Sequence, residues 1–229
     1  MILVEGGTFT MGDNSDYFYW LDGKFHPATE HQVTLSDYYI GQTEVTQALW
    51  EAVMGDLPWM QDENRGDNKP VRAKWDEWRV FIACLNGLTR LKFRMPTEAE
   101  WEYAAMGGNR SRGYIYAGSN DLDEVAWYRD NSGNRYHTVA TKKPNELNLY
   151  DMSGNAEELV SDWGAPYPST PQTNPTGPRS GKDHMSRGAG AYNSNNLEDC
   201  FRIKQRDIMN PTHNENNGFY GLRLALSAE

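Results

Sequence analysis

The residues of this chain that could do chemistry are few, and their spacing gathers most of them into no known device. There are two cysteines, Cys84 and Cys200, and five histidines, His26, His31, His137, His184 and His213. There is no Gly-x-Ser-x-Gly elbow, no His-Glu-x-x-His, and no Gly-rich phosphate loop ahead of a helix; Gly188-Ala189-Gly190 is too short to count. Scattered histidines read as solvated or core residues, and two cysteines do not make a disulfide framework. Two segments stand apart. In Asp151-Met152-Ser153-Gly154-Asn155-Ala156-Glu157-Glu158, Asp151 and Glu158 supply carboxylates, and Gly154 and Ala156 can offer main-chain oxygens to the same ion. Calcium collects about 6–8 such oxygens. On spacing alone the segment reads as a plain turn with solvated acids, and it is not an EF-hand, because its glycine falls at the wrong offset. The second segment, 190–220, is crowded with Tyr192, Asn193, Asn195, Asn196, Glu198, Asp207, Asn210, His213, Asn214, Asn216 and Tyr220. Asn gives versatile hydrogen bonding, and Tyr gives contact area at low entropic cost. The plainer reading is a polar, turn-rich surface.

The elements that must position these residues follow from composition and pattern. The chain has 229 residues with Trp 8 and Tyr 13, at a mean hydropathy of -0.79. A polar chain rich in aromatics is globular with long surface loops, since disordered chains are aromatic-poor. The net charge of -10 argues against nucleic acid or an anionic membrane as partner. No apolar run is long enough to span a bilayer, and Met1-Ile2-Leu3-Val4 is too short for a signal core. Residues 4–12 read as two short strands around Gly6-Gly7, residues 13–30 as a loop, and Gln32–Leu35 as a half-buried strand that Tyr38–Ile40 continues. Thr46 caps a helix closed by Gly55. Trp75, Trp78, Phe81, Ile82 and Leu85 predict an amphipathic helix over 74–88, in which Cys84 reads as a packed structural thiol. Thr97-Glu98-Ala99-Glu100 fits a capping box, and Gly107-Gly108 ends its helix. Beyond 106 helical periodicity nearly vanishes. With no repeat and no clean linker, the expectation is a single α+β domain over 1–229 with two or three helices and many short strands.

Several segments in one order resemble the formylglycine-generating enzyme (sulfatase-modifying factor) family: Val4–Gly12, Tyr39–Gln47, Arg94-Met95-Pro96-Thr97-Glu98-Ala99-Glu100-Trp101 through Ala105, Lys143–Leu147, Asp151–Asn155, Ser186-Arg187-Gly188 and Gly221–Ala225. The resemblance implies that family's irregular, loop-rich variant of the C-type lectin fold. It also implies that Asp151, Gly154, Ala156 and Glu158 are the ligands of a structural calcium ion. Catalytic members bind copper(I) through two cysteines, as soft ions select thiolates. Counting from Arg187-Gly188-Ala189-Gly190, those positions fall here on Asn193 and Glu198. The family's serine is Gly190, and its tryptophan after the calcium-loop alanine is Glu157. No copper is therefore expected and no catalytic residue is assigned.

The resulting expectation is a non-catalytic binding domain that takes a protein or peptide on its 190–220 surface. The residues of that segment also resemble the variable proteins of diversity-generating retroelements, which carry this fold and diversify near the C-terminus. The alternatives are a copper-dependent oxidase of a peptide cysteine and a scaffold component of a bacterial surface or secretion complex. Sugar binding lacks its signature, since no Glu-Pro-Asn with a matching Trp-Asn-Asp is present. The compartment is cell-surface or extracellular if an export signal precedes the chain, and cytoplasmic or phage-borne otherwise.

Overall fold

The computed structural model describes residues 1–14, 18–58, 60–193, 199–208 and 220–228. The first half is built from Ile2–Val4 (β1), Gly7–Met11 (β2), Phe18–Leu21 (β3), Lys24–Pro27 (β4), His31–Leu35 (β5) and Tyr38–Ile40 (β6), then the helices Gln47–Met54 (α1), Trp75–Thr89 (α2) and Glu98–Ala105 (α3). The second half has two single-turn helices, Leu122–Val125 (α4) and Arg129–Ser132 (α5), and the strands Glu158–Trp163 (β7), Gln172–Thr173 (β8), His184–Arg187 (β9), Asp207–Ile208 (β10) and Ala225–Ser227 (β11). Small sheets in the orders β1-β6-β11, β2-β5-β8 and β10-β9-β7 surround α3, and β3-β4 is a separate hairpin. This is the loop-rich α+β class the sequence predicts. Among the described residues no helix is long and apolar enough to cross a membrane.

The caps behave as their chemistry demands. Thr46 Oγ1 accepts from Leu49 N, and Gly55 closes α1 at φ 86°. Thr97 Oγ1 accepts from Glu100 N at 3.2 Å, and Thr97 N donates to Glu100 Oε2 at 2.8 Å, completing the capping box. Glu5-Gly6 separates β1 from β2 because the chain there passes within contact of residues 35–37. A Cβ on Gly6 would sit 2.3 Å from the Leu35 carbonyl oxygen, so only glycine fits.

Three expectations are corrected. Residues 13–30 are not all loop: β3 and β4 pair across Asp22-Gly23, both at positive φ (50° and 76°), the geometry a two-residue hairpin turn requires. The strand at 31–40 is two strands in different sheets. β5 pairs β2 with Thr34 opposite Thr8, whereas β6 lies between β1 and β11. The break falls at Ser36-Asp37, where Asp37 Oδ1 accepts from Gly6 N. Cys84 is exposed, because α2 buries Trp78, Phe81 and Leu85 and leaves residue 84 on its outer face.

Two apolar clusters are the largest among the described residues. One joins Phe9, Val33, Tyr38, Trp101, Leu149 and Val160 around α3. The other joins Trp50, Trp78, Phe81, Leu159 and Leu222 under α1 and α2. In the second, Trp50 stacks on Phe81 with ring centroids 5.0 Å apart, and Trp78 meets both edge-on.

Helix α3 is buried on every side although it carries Glu98, Glu100 and Glu102. Each glutamate is answered by an arginine. Arg94 grips Glu100 with two bonds, at 2.6 and 2.7 Å. Arg206 does the same to Glu98, at 2.8 and 2.5 Å. Arg187 pairs with Glu102. Burial alone would raise the Glu98 carboxyl, but the Arg206 and Arg187 charges outweigh it and hold it below the usual range.

Candidate functional site

The 151–158 loop begins with backbone that strongly favours particular residues. Asp151 and Asn155 sit at φ 56° and 60°, and Gly154 at φ 91° with its would-be Cβ 2.6 Å from the Trp127 carbonyl oxygen. Asn155 is fully buried and ties four segments together. Its Nδ2 donates to Glu44 Oε1, its Oδ1 accepts from His137 N, its N donates to Trp127 O, and its O accepts from Ala191 N.

The carboxylates of this loop divide into two kinds. Both Glu158 oxygens are engaged: Arg223 donates to Oε1 and Oε2 at 2.6 and 2.7 Å, and Trp101 Nε1 donates to Oε2 at 2.7 Å. Asp151 Oδ2 accepts from Ala140 N at 2.8 Å, but its Oδ1 is buried and meets no donor among the described residues. Glu44 Oε2 is in the same condition. Burial, and then the neighbouring Asp151 charge, push the Glu44 carboxyl well up; burial pushes Asp151 up to about 6. The oxygens free to meet a hard cation are thus those of Asp151 and Glu44, a residue the sequence did not single out. Among the described residues no three His, Cys, Asp or Glu side chains converge as metal donors.

The 190–220 surface is described in part: Asn195, Asn196, Glu198, Asn210, His213, Asn214 and Asn216 lie outside the described residues. Tyr192 is 38% exposed, yet its ring is held from behind. Asn64 Nδ2 donates to its hydroxyl at 2.7 Å, and its ring meets Tyr136 edge-on at 5.2 Å. Asn64 Oδ1 in turn accepts from Tyr136 N, and Arg72 lies 5.2 Å from the Tyr136 ring centre. Asn193, at the first copper-cysteine position, turns inward: its Oδ1 accepts from Gly190 N at 3.0 Å and closes that turn. Tyr220 is a seam residue. Its backbone exchanges both hydrogen bonds with Ala73, its carbonyl accepts from Trp78 Nε1, and its side chain packs on the second cluster.

Behind this surface stands Glu157. Ser186 Oγ donates to its Oε1 at 2.5 Å, and Asp207 pairs in register with Ser186 across β9 and β10. Burial, reinforced by the Asp207 charge, pushes Glu157 up to about 7. Cys200 lies in the field of the same two acids. Burial first, and then Glu157 and Asp207, push its thiol up to about 12, which disfavours the free thiolate at neutral pH. Of the residues picked from sequence, Tyr192 and Asp207 are therefore brought to one neighbourhood. Asn64, Arg72 and Tyr136 complete it from segments whose sequence carries no signal beyond ordinary loop composition. Glu157 did carry one, as an acid where a tryptophan was expected.

The Glu157 environment has a pH consequence. A carboxyl raised from 4.5 to about 7 keeps its proton in the folded state after the unfolded chain has lost it. Its favourable contribution is complete below about 4.5 and is lost as pH rises through about 7. Glu157→Gln is thus expected to match the native chain in stability at pH 4 and to exceed it by about 3 kcal/mol at pH 8. Urea unfolding at the two pH values checks this, and a gap independent of pH contradicts it.

With this geometry in view, comparison with known proteins places the chain. A family model described as "Sulfatase-modifying factor enzyme 1-like domain" matches residues 1–228. "Chaperone protein LppX" of Paenibacillus barcinonensis is 34% identical over 223 residues, spanning 75% of this chain and 74% of that protein. The formylglycine-generating enzyme of Streptomyces coelicolor is 26% identical over 287 residues, spanning 100% of this chain and 89% of that enzyme. Among solved structures, Treponema denticola variable protein 1 superposes with a TM-score of 0.83 at 29% identity, covering 100% of this chain and 95% of that one. The chain belongs to the sulfatase-modifying factor enzyme 1-like domain family.

Proposed function

We propose that this chain is a non-catalytic ligand-binding domain that takes a protein or peptide on the 190–220 surface. The observation that carries the reading is Tyr192: an exposed ring fixed by Asn64 and Tyr136 before any partner arrives. A preorganised aromatic avoids part of the ordering cost of binding. The copper chemistry of the family's enzymes lacks its first ligand here. Asn193 is no thiolate, and its side chain is spent on Gly190. The relative named a chaperone is, by that name, a protein that engages another polypeptide, which supports a binding role. For the test, a displayed random-peptide library is panned on the immobilised domain. Selected peptides are expected to lose at least tenfold in affinity on Tyr192→Ala while the thermal midpoint stays within a few degrees. Peptides that bind the variant equally would remove the site from this surface.

We further propose that the specificity of the surface is diversified in the source population. The likeness to Treponema denticola variable protein 1 favours this. Sequencing of codons 180–226 across that population is expected to show variation clustered between Tyr192 and Tyr220, with Arg206 and Leu222 constant. One invariant sequence would count against it.

A structural calcium ion completes the proposal. Asp151 fits it through its free Oδ1, with the carbonyls of Gly154 and Ala156 on the same loop, while Glu158 would join only by sharing an oxygen that now serves Arg223. Such an ion would prop the loop and neutralise buried acids. Excess calcium is expected to raise the thermal midpoint over that in EGTA, by ligand linkage, and Asp151→Asn to abolish the difference. An identical midpoint in both media, on metal-free protein, refutes it.

A further inference from the structure

A cavity of about 430 Å³ lies between the start of α3 and the segment 165–178, and Arg206 is the one described residue of the 190–220 segment that lines it. Pro166, Pro168, Pro175 and Pro178 stiffen its wall, and Tyr167 and Trp163 add aromatic surface. Proline fixes its own backbone angle, so such a wall is set before a ligand arrives. The volume is in the range of small-molecule sites, which are mostly apolar with a few fixed polar groups.

The charges around it do not cancel. Glu98 and Arg206 both line the cavity and neutralise each other through their two-bond pair. Arg206 is further occupied by the Ala165 carbonyl and by the faces of Tyr167 and Tyr19, at 3.8 and 4.4 Å. Asp162 remains, 5% exposed, in the cavity wall. Its Oδ2 accepts from Glu98 N at 2.9 Å and Ser161 Oγ at 3.1 Å. Among the described residues its Oδ1 takes no hydrogen bond. Gly177 packs against this group so closely that a Cβ there would stand 3.1 Å from Oδ1.

We infer that this cavity is a binding site for an alkylammonium group, with Asp162 Oδ1 as counter-ion and the proline-lined wall against its hydrocarbon body. An ammonium supplies a donor for the Oδ1 that takes none, and a positive charge beside a nearly buried carboxyl group whose neighbouring Arg206 is already paired with Glu98. A carboxylate ligand would meet Asp162 with like charge, and an alcohol would leave that charge unbalanced. The Glu98 N–H at the start of α3 donates to Asp162 Oδ2 and fixes the orientation of the carboxyl. Burial and the Glu98 charge push its carboxyl up to about 7, a cost that a bound cation relieves. The ammonium can belong to a free amine or to a lysine side chain of a protein.

The test is calorimetry on the full chain with four probes: hexylammonium, 1-hexanol, hexanoate, and Nα-acetyl-lysine N-methylamide. Hexylammonium is expected to bind at least tenfold tighter than 1-hexanol, and hexanoate not to bind. The lysine derivative binding as well as hexylammonium assigns the site to a protein side chain; binding tenfold weaker assigns it to a free amine. Asp162→Asn keeps an oxygen for Glu98 N and is expected to erase the preference for the cation. Absence of hexylammonium binding at millimolar concentration overturns the inference. So does equal affinity for the alcohol, or an unchanged preference in Asp162→Asn. The order among the probes on the native chain decides the matter even where the variant folds poorly.

Discussion

A helix buried on all sides yet bearing three glutamates is the constraint on which this structure turns. Glu98, Glu100 and Glu102 are largely withdrawn from water on α3, and each meets an arginine inside the protein. Arg94 comes from just ahead of the helix, but Arg187 comes from β9 and Arg206 from the residue before β10. A fourth pair, Glu158 with Arg223, joins β7 to the run before β11, and Arg223 also donates to the carbonyls of Gly41 and Tyr150. Such pairs add little net stability over a well-packed apolar core, but removing one partner costs about 3–5 kcal/mol. Their effect here is to fix where loops go. The segments after 106 have little regular structure of their own, and the planar arginine fork holds each in one orientation.

Local chemistry was legible in the sequence where one residue could answer its own neighbour. Thr46 and Thr97 each cap a helix through atoms three residues away, and the α2 pattern repeats within one element. The β3-β4 hairpin was missed although Asp22-Gly23 is a strong turn signal, because prolines, glycines and aromatics on both sides broke the alternation. The exposure of Cys84 turns on a single step of helical phase. The arginines were visible only as residues, not as partners, since 85 residues separate Glu102 from Arg187 and 108 separate Glu98 from Arg206. The same limit applied to the candidate site. Tyr192 and Asp207 announced themselves by type, while Asn64, Arg72 and Tyr136 gained meaning only from the fold.

Asn155 shows how the loop at 151–158 is held in place before any ion is considered. Its hydrogen bonds join Glu44, Trp127, His137 and Ala191, so the loop geometry is set by protein atoms at that point. What protein atoms leave unanswered is charge. Asp151 Oδ1 and Glu44 Oε2 face no donor among the described residues. In a low-dielectric interior two such carboxyls resolve the conflict by keeping a proton or by taking up a cation. Either choice leaves Glu158 with Arg223, so the fold tolerates both.

Strand β7 separates the two candidate binding regions. Glu158, Val160 and Asp162 turn to the α3 side: Glu158 meets Trp101, Val160 enters the cluster around α3, and Asp162 meets Glu98 N. Glu157 and Leu159 face the other way, Glu157 toward Ser186 and Leu159 into the cluster beneath α2. The twofold alternation of a strand thus assigns one set of acids to the buried arginine network and its cavity, and the other acid to the back of the 190–220 surface. This is the physical condition under which a surface can change its side chains while the helix at the centre keeps its partners. It also sets the surroundings of the acid at position 157: on that face its carboxyl accepts from Ser186 and is pushed up by burial and the Asp207 charge, apart from the arginines that hold Glu98, Glu102 and Glu158 on the α3 face.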